Sequence, residues 1–248
     1  MTKEMTTNES KALATGDWET DLAALAKEQT AHETPTASNI TLKAGVMTYN
    51  GQPLPDNKMT AIILDAIHEH TYYESDYDPD NIQPPECFAL GNGDDMRPHP
   101  NAAKPQAETC ADCPQFKWGS SPKGRGKACS EKRRLAMIPS GIETPDDVLS
   151  AEVATIKIPV TSVKNWTAYV NMTAAQFKRP SFAVETEISV TPDAKTQFKV
   201  NFANAGLVDG SFGNAIMAKR EMAQDILMTP YEKPEEAAPA EGGKKKKY

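Results

Sequence analysis

Long hydrophobic runs are absent from this sequence. No window approaches the length of a membrane-spanning helix, and the first residues lack the basic stretch and apolar core of an export signal. The glycine-rich phosphate loop G-x-x-x-x-G-K-[ST] and the nucleophile motif G-x-S-x-G are also missing. We therefore expect a soluble cytoplasmic protein that has no membrane partner and is not an enzyme.

Positive charge is scarce overall but concentrated in one place. The net charge is −7, which argues against nonspecific binding of nucleic acid over the whole surface. Between Lys104 and Arg134, however, eight Lys or Arg residues face three acids, whereas Asp65 to Asp95 contains nine acids and no Lys or Arg. Any site for a polyanion must therefore be local, and the stretch from Lys104 to Arg134 is the candidate.

The order of the predicted elements indicates the fold class. β-branched and aromatic residues dominate ITLKAGVMTYNG and MTAIILDAIHEHTYY, which read as strands. A cysteine-rich insert, a third strand region, a helix and two alternating strands joined by PDAK follow. This order is that of the OB-fold, a Greek-key β-barrel that binds oligonucleotides or oligosaccharides. We predict a mainly β, α+β protein with an OB-like barrel, flanking helices and disordered termini.

Apolar stripes locate the helices. The central helix is predicted to begin at a Thr161 or Ser162 cap, and its stripe consists of Val163, Trp166, Val170 and Ala174. Amphipathic helices at 18–28 and 213–228 are candidate self-association elements, and the oligomeric state stays open. The predicted organisation is a flexible N-terminal segment with a short helix at 1–39, an OB-like domain at 40–228 containing the insert at 87–134, and a disordered tail at 229–248.

Four cysteines form the candidate metal site. Cys110 and Cys113 are a C-x2-C knuckle, Cys129 follows after fifteen intervening residues, and Cys87 precedes the knuckle. Four thiolates match a structural zinc site and leave no open position for catalysis. The insert has few apolar side chains, so metal binding would supply its folding energy. We predict a structural Zn²⁺ at Cys87, Cys110, Cys113 and Cys129, with His99 as the rival fourth ligand and a metal-free or redox cysteine set as the alternative.

Basic and aromatic residues surround these thiols. Cations neutralise phosphates and aromatic faces stack on unpaired bases, so the mixture favours single-stranded nucleic acid. Alternatively, the cations only solvate a zinc loop and Trp118 packs on the knuckle. The candidate nucleic-acid-binding residues are Lys117, Trp118, Lys123, Arg125, Lys127, Lys132, Arg133 and Arg134 in the insert, with Tyr72, Tyr73 and Lys199 on the barrel.

At the level of arrangement, the insert resembles one known class of protein. Cys87, the knuckle CADCP and the segment CSEKRR, placed within an OB-like barrel, are similar to phage replication proteins that coat single-stranded DNA. The resemblance implies a non-catalytic protein of the host cytoplasm that protects single strands during replication, recombination or repair, and that contacts replication or recombination proteins. The terminal GGKKKKY departs from the acidic tail usual in such proteins.

Two other functions are compatible with the sequence. A zinc-containing interaction or transcription-regulating factor would dock the same loop on a polymerase. A metal-dependent nuclease would instead use an acidic cluster that includes His68 and His70. The acids in question are Asp65, Glu69, Glu74, Asp76, Asp78 and Asp80. Preference for DNA over RNA depends on contacts to the 2′-hydroxyl and is left open.

Overall fold

The computed structural model describes residues 38–75, 83–93, 95–122 and 124–232, together with Leu22 and Leu25. Between residues 38 and 232 the chain is mostly β, which confirms the predicted mainly β, α+β class. The strands are β1 (Asn39–Lys43), β2 (Val46–Tyr49), β3 (Gln52–Pro53), β4 (Lys58–Tyr72), β5 (Cys87–Gly91), β6 (Ser130–Pro139), β7 (Ala154–Ile158), β8 (Val184–Asp193) and β9 (Gln197–Leu207). The α-helices are α1 (Pro145–Ser150), α2 (Val160–Phe177) and α3 (Gly213–Leu227).

The strands form one curled mixed sheet centred on the long strand β4. The order is β3-β2-β1-β7-β6-β4-β8-β9, with β5 also paired to β4. The first residues of β4 pair with β8, and the remainder pairs with β6 and β5. All pairs are antiparallel except β1 with β7. The long strand thus belongs to both halves of the sheet, which is what allows the sheet to curl.

A β-bulge in β4 decides which residues face which side. Ile63 pairs with Met137 and Asp65 with Ala136, so Leu64 is an extra residue in the ladder. Before the bulge, odd-numbered Ile63 lies in the first core cluster; after it, odd-numbered Ile67 lies in the second. Side chains of β4 therefore exchange faces at this point.

Helix α2 packs on the first face of the sheet and also covers its β9 edge. Trp166 and Tyr169 are buried against Phe202, with ring centroids 5.3 and 5.8 Å from that ring. The Ser162 hydroxyl accepts a hydrogen bond from the Val200 amide (2.9 Å), so Ser162 lies inside the helix and does not cap it. The predicted helix is present, but its buried stripe differs from the predicted one and consists of Ser162, Trp166, Tyr169 and Thr173.

Helices α1 and α3 pack on the second face. The helix predicted to end before Pro230 is present as α3, which buries Ile216, Ala223 and Leu227 in the second core cluster. The Arg220 guanidinium on α3 donates to the carbonyl of the bulge residue Leu64 (2.7 Å). Of the helix predicted at 18–28, only Leu22 and Leu25 are described, and both are helical. In the part of the chain described here, no helix is long and apolar enough to cross a membrane.

Candidate metal centre and nucleic-acid interface

All four cysteines line one small cavity at the Tyr72 end of β4. Cys87 is the first residue of β5 and pairs with Tyr72, while Cys129 directly precedes β6 on the other side of β4. Two strands that flank β4 therefore bring their thiols to the same edge. The loop between β5 and β6 adds Cys110 and Cys113, and the enclosed volume is about 20 Å³. A space of this size holds one water-sized occupant, which is also the scale of a metal ion.

Backbone hydrogen bonds hold the knuckle against the strands. The Cys113 amide donates to the Cys110 carbonyl (3.3 Å), which closes the C-x2-C turn. The Cys110 amide donates to Met96 (2.8 Å), and the Cys129 amide donates to Gln115 (2.8 Å). Main-chain contacts consequently position the thiols, next to the Phe88 and Phe116 rings that line the same cavity.

Three of the thiols, those of Cys87, Cys110 and Cys129, have a pKa raised by burial, which favours their protonated form. Burial, reinforced by repulsion from the other thiolates, raises the pKa of Cys110 to about 11 and that of Cys129 to about 12. Burial also raises the pKa of Cys87. All four cysteines are free, and four thiols around an ion-sized cavity are the donor set of tetrahedral zinc. The donor chemistry therefore fits the predicted metal.

The two candidates for the fourth metal ligand, Cys87 and His99, lie in different surroundings. Cys87 lines the cavity with the three other cysteines. The His99 ring instead stacks on Phe88, with centroids 4.9 Å apart, and its Nδ1 accepts a hydrogen bond from the Asn101 amide (3.0 Å). The geometry favours Cys87 as the fourth ligand.

Trp118 is the most exposed large apolar side chain among the described residues, at 81 % exposure. It lies in the loop just after the knuckle, between the exposed residues Lys117 and Arg125. This loop is closed by a hydrogen bond from the Gly119 amide to the Gly126 carbonyl (2.7 Å). The Ser120 hydroxyl donates to Gln115 and accepts from the Ala128 amide (2.8 and 2.9 Å). Hydrogen bonds therefore fix the loop, and the indole contacts it only along one ring edge, beside Gly126. With most of its surface exposed, Trp118 does not pack on the knuckle.

The other basic residues of the insert divide between surface and interior. Lys127 lies over the Phe116 ring, 3.4 Å from its centroid, and its ammonium is 3.4 Å from Glu131. Arg133 also contacts Glu131, at 3.3 Å. Lys132 is partly exposed, and Lys123 lies outside the described residues. Lys117 and Arg125 are thus the fully exposed cations beside Trp118.

Arg134 belongs to a buried network on the opposite face. Its guanidinium donates to Glu69 (3.0 Å) and to the carbonyls of Leu227 and Thr229 (3.2 and 2.6 Å). Glu69 has no exposed surface and also contacts Lys157 (3.4 Å) and the Tyr231 hydroxyl. Burial alone would raise the pKa of Glu69, but the Arg134 hydrogen bond and the Lys157 charge lower it overall. Arg134 is therefore a structural cation and is not available to phosphate.

The predicted barrel residues lie apart from one another. Tyr72 lines the cysteine cavity, and Tyr73, next to it, is exposed. Lys199 lies on β9, where its ammonium is 3.5 Å from Asp193. β9 pairs only with β8 in the sheet, and β8 pairs with the Lys58 end of β4, so Lys199 is at the other end of β4 from the cysteines.

Of the acids considered for nuclease chemistry, the three that the structure describes do not form one group. Asp65 accepts hydrogen bonds from Gln224 (3.1 Å) and Arg220 (3.5 Å), and Glu69 is buried with Arg134. Glu74 is exposed and paired with Lys104 at 2.8 Å. The remaining acids of this set, Asp76, Asp78 and Asp80, lie outside the described residues.

Sequence reasoning missed the close association of two histidines with Glu131. His68, His70 and Glu131 place one ligand atom each within 4.8 Å of one another, and they are the one such group found among the described residues. The cysteine sulfurs of the described chain do not meet this 4.8 Å criterion. The i, i+2 spacing of the histidines puts them on one face of a strand, but nothing in the sequence pairs that face with Glu131.

A scan against protein-family models, a search of curated proteins and a search of solved structures each found no match to this chain. Only the geometry of the loop and sheet described above therefore bears on the function of this protein.

Proposed function

We propose that this protein binds single-stranded DNA in a sequence-tolerant manner and protects it during replication, recombination or repair. The observation that carries the proposal is the exposed Trp118, flanked by the exposed cations Lys117 and Arg125 on a loop held by cysteines. An exposed indole leaves apolar surface in contact with water. That surface is buried when an unpaired base stacks on the ring, which favours binding. The two cations lie where they can contact the phosphates on either side of that base.

Structural zinc is part of this proposal. Cys87, Cys110, Cys113 and Cys129 would hold the ion, and its role would be to fix the loop that presents Trp118. The high pKa values of Cys110 and Cys129 mean that a divalent cation must displace their protons on binding. Loading should consequently weaken as the pH falls.

The strand pairing around β4 supports an OB-like barrel. Five strands pair in the order β7-β6-β4-β8-β9. Counted along the chain, β4 is the first of them and β9 the fifth, and α2 connects the third, β7, to the fourth, β8. In this assignment the cysteine loop joins the first strand to the second, and the turn beside Lys199 joins the fourth to the fifth. These are the loops with which OB-folds bind oligonucleotides. The proposed barrel is open between β7 and β9, because the edge of β7 that faces away from β6 pairs with β1.

Fluorescence anisotropy with a labelled thirty-base single strand and the matching duplex tests the proposal. We expect tight binding to the single strand alone, weakening steeply with salt as neutralised phosphates release counterions. Trp118→Ala should weaken binding by about 5- to 150-fold, the equivalent of about 1–3 kcal/mol for one stacked base. Met222→Ala, which removes an exposed apolar side chain from α3, is the matched control and should bind like the wild type.

Equal and weak binding to both nucleic acids would contradict the proposal. The same exposed tryptophan would then be better explained as a hot spot for a protein partner, because Trp and Arg are enriched at such positions. In that case Trp118→Ala would abolish capture of a polymerase or recombination protein while leaving the weak DNA affinity unchanged.

A further inference from the structure

A second group of metal-ligating side chains adjoins the cysteine cavity, and one of its members, His70, also lines that cavity. His70 on β4 pairs directly with Glu131 on β6, and His68 lies two residues earlier on the same face of β4. Their ligand atoms lie within 4.8 Å of one another. We propose that His68, His70 and Glu131 bind a divalent transition-metal cation such as Zn²⁺, in addition to any metal held by the cysteines.

The environment of His70 points to a missing partner. The side chain is 5 % exposed, and neither ring nitrogen has a hydrogen-bond partner although both are buried. Buried imidazole nitrogens are normally hydrogen-bonded or bound to metal, because leaving them unpaired costs their hydration. The Phe116 ring stacks on the imidazole with centroids 4.4 Å apart and fixes its plane. A cation between the three side chains would give one of these nitrogens its partner.

The three donors define the class of metal. Two imidazoles and one carboxylate bind zinc and other first-row divalent cations, whereas four thiolates form a closed structural site. His68 and Glu131 are each about one-third exposed at the side chain, so this group is open to solvent. Three protein ligands leave a coordination position for water or for an anionic oxygen, such as that of a phosphate.

Two neighbouring cations already compete for the carboxylate. The Lys127 ammonium lies 3.4 Å from Glu131, and the Arg133 guanidinium lies 3.3 Å from it. A bound metal would have to share Glu131 with these groups or displace them. Replacing Lys127 by a neutral residue should therefore strengthen metal binding, which is the opposite of its expected effect on a site for phosphate alone.

Titration of the metal-free, full-length protein with Co²⁺ tests this inference. Cobalt bound to thiolates gives intense sulfur-to-metal charge-transfer absorption, whereas cobalt bound by imidazole and carboxylate does not. We expect two equivalents by calorimetry, of which one shows no charge-transfer band. His70→Gln and Glu131→Gln should each weaken that second equivalent about tenfold or more and leave the thiolate band intact. Lys127→Met should tighten the second equivalent several-fold.

His99→Gln is the matched control and should leave the second equivalent unchanged. Circular dichroism would verify folding, and Glu131→Gln, at a partly exposed position, remains informative if His70→Gln does not fold. Binding of a single equivalent that shows the thiolate band, or a second equivalent insensitive to both substitutions, would overturn the inference. So would loss of the thiolate band in His70→Gln, because the imidazole would then serve the cysteine cavity.

Discussion

Glu69 and Arg134 are oppositely charged and almost completely buried, and each satisfies part of the other's hydrogen-bonding capacity. Lys157 and the Tyr231 hydroxyl complete the group around one carboxylate oxygen. Breaking a buried pair from one side is costly because the remaining charge is left without compensation. Tyr231 falls in the segment predicted to be disordered, yet its ring packs edge-on to Phe88, 5.0 Å away between centroids. The group around Glu69 therefore also holds the segment after α3 against the sheet.

Replacing this buried carboxylate should be strongly destabilising. Glu69→Gln leaves Arg134 buried without its counter-ion, and we expect the free energy of unfolding to fall by about 3–5 kcal/mol. Urea denaturation at neutral pH measures the change. Glu187→Gln removes a carboxylate whose ion pair with Lys58 is well exposed, and it should cost less than about 1 kcal/mol. Similar losses in the two variants would contradict the assignment of a structural role to Glu69.

The basic run Lys132 to Arg134 shows what could be predicted from the sequence about single residues and what could not. Its charges and their closeness to the cysteines were readable, and they predicted a local cationic surface. The sequence did not show which of these side chains faces outward, because neighbouring residues of a strand point to opposite sides. Arg133 lies on the cysteine side with Glu131, while Arg134 lies on the side of α3. Strand register, which depends on distant residues, decides between them.

Helices and tight turns were the elements most accessible from sequence. The α2 and α3 helices and the β8–β9 turn at PDAK follow from apolar spacing and turn residues. The predicted stripe of α2 was nevertheless displaced, because Ser162 and Asn165 turn inward to bond the edge strand. Asn165 donates to the Val200 carbonyl (2.9 Å), and Ser162 accepts from its amide. A pattern based on apolar residues cannot predict polar side chains that are buried because they form hydrogen bonds with backbone groups of another strand.

The C-terminal end of α2 carries a local strain that substitution can relieve. Lys178 adopts φ 54° and ψ 34°, the left-handed conformation that favours glycine after a helix. We expect Lys178→Gly to raise the free energy of unfolding by up to about 1 kcal/mol, since an L-residue loses about 1–2 kcal/mol there. Lys164→Gly, at an exposed position within the helix, should lower it by about 1 kcal/mol. Thermal denaturation of both variants checks the opposite signs, and a loss of stability in Lys178→Gly would refute the strain.

At the scale of the whole molecule, two kinds of structure are attached to the sheet. Apolar packing holds α1, α2 and α3, whereas the loop from β5 to β6 is held by main-chain bonds around the thiols. Removal of the proposed zinc should therefore loosen the loop without unfolding the sheet. The sequence already suggested this division, because the insert contains few apolar residues and the flanking strands contain many.

Limited proteolysis of the chelator-treated protein tests the division. We expect new cleavage within residues 95–129 and little change elsewhere, with far-UV circular dichroism nearly constant. Cys113→Ser should reproduce the effect without chelator, and added Zn²⁺ should restore protection only in the wild type. Simultaneous cleavage across β4 and β8 would instead mean that loop and sheet unfold as one unit.

The bulge at Leu64 has a consequence for how this chain can change over generations. The bulge absorbs one extra residue, so the side chains after it keep the faces that a regular ladder would give them. Deleting Leu64 would leave Ile63 opposite Met137 and Asp65 opposite Ala136 in an unbroken alternation, and the two histidines and Glu69 would keep their present faces. Odd- and even-numbered residues of β4 thus lie on opposite faces before and after the bulge. Gain or loss of one codon at this position is therefore absorbed locally and does not invert the face that carries the histidines.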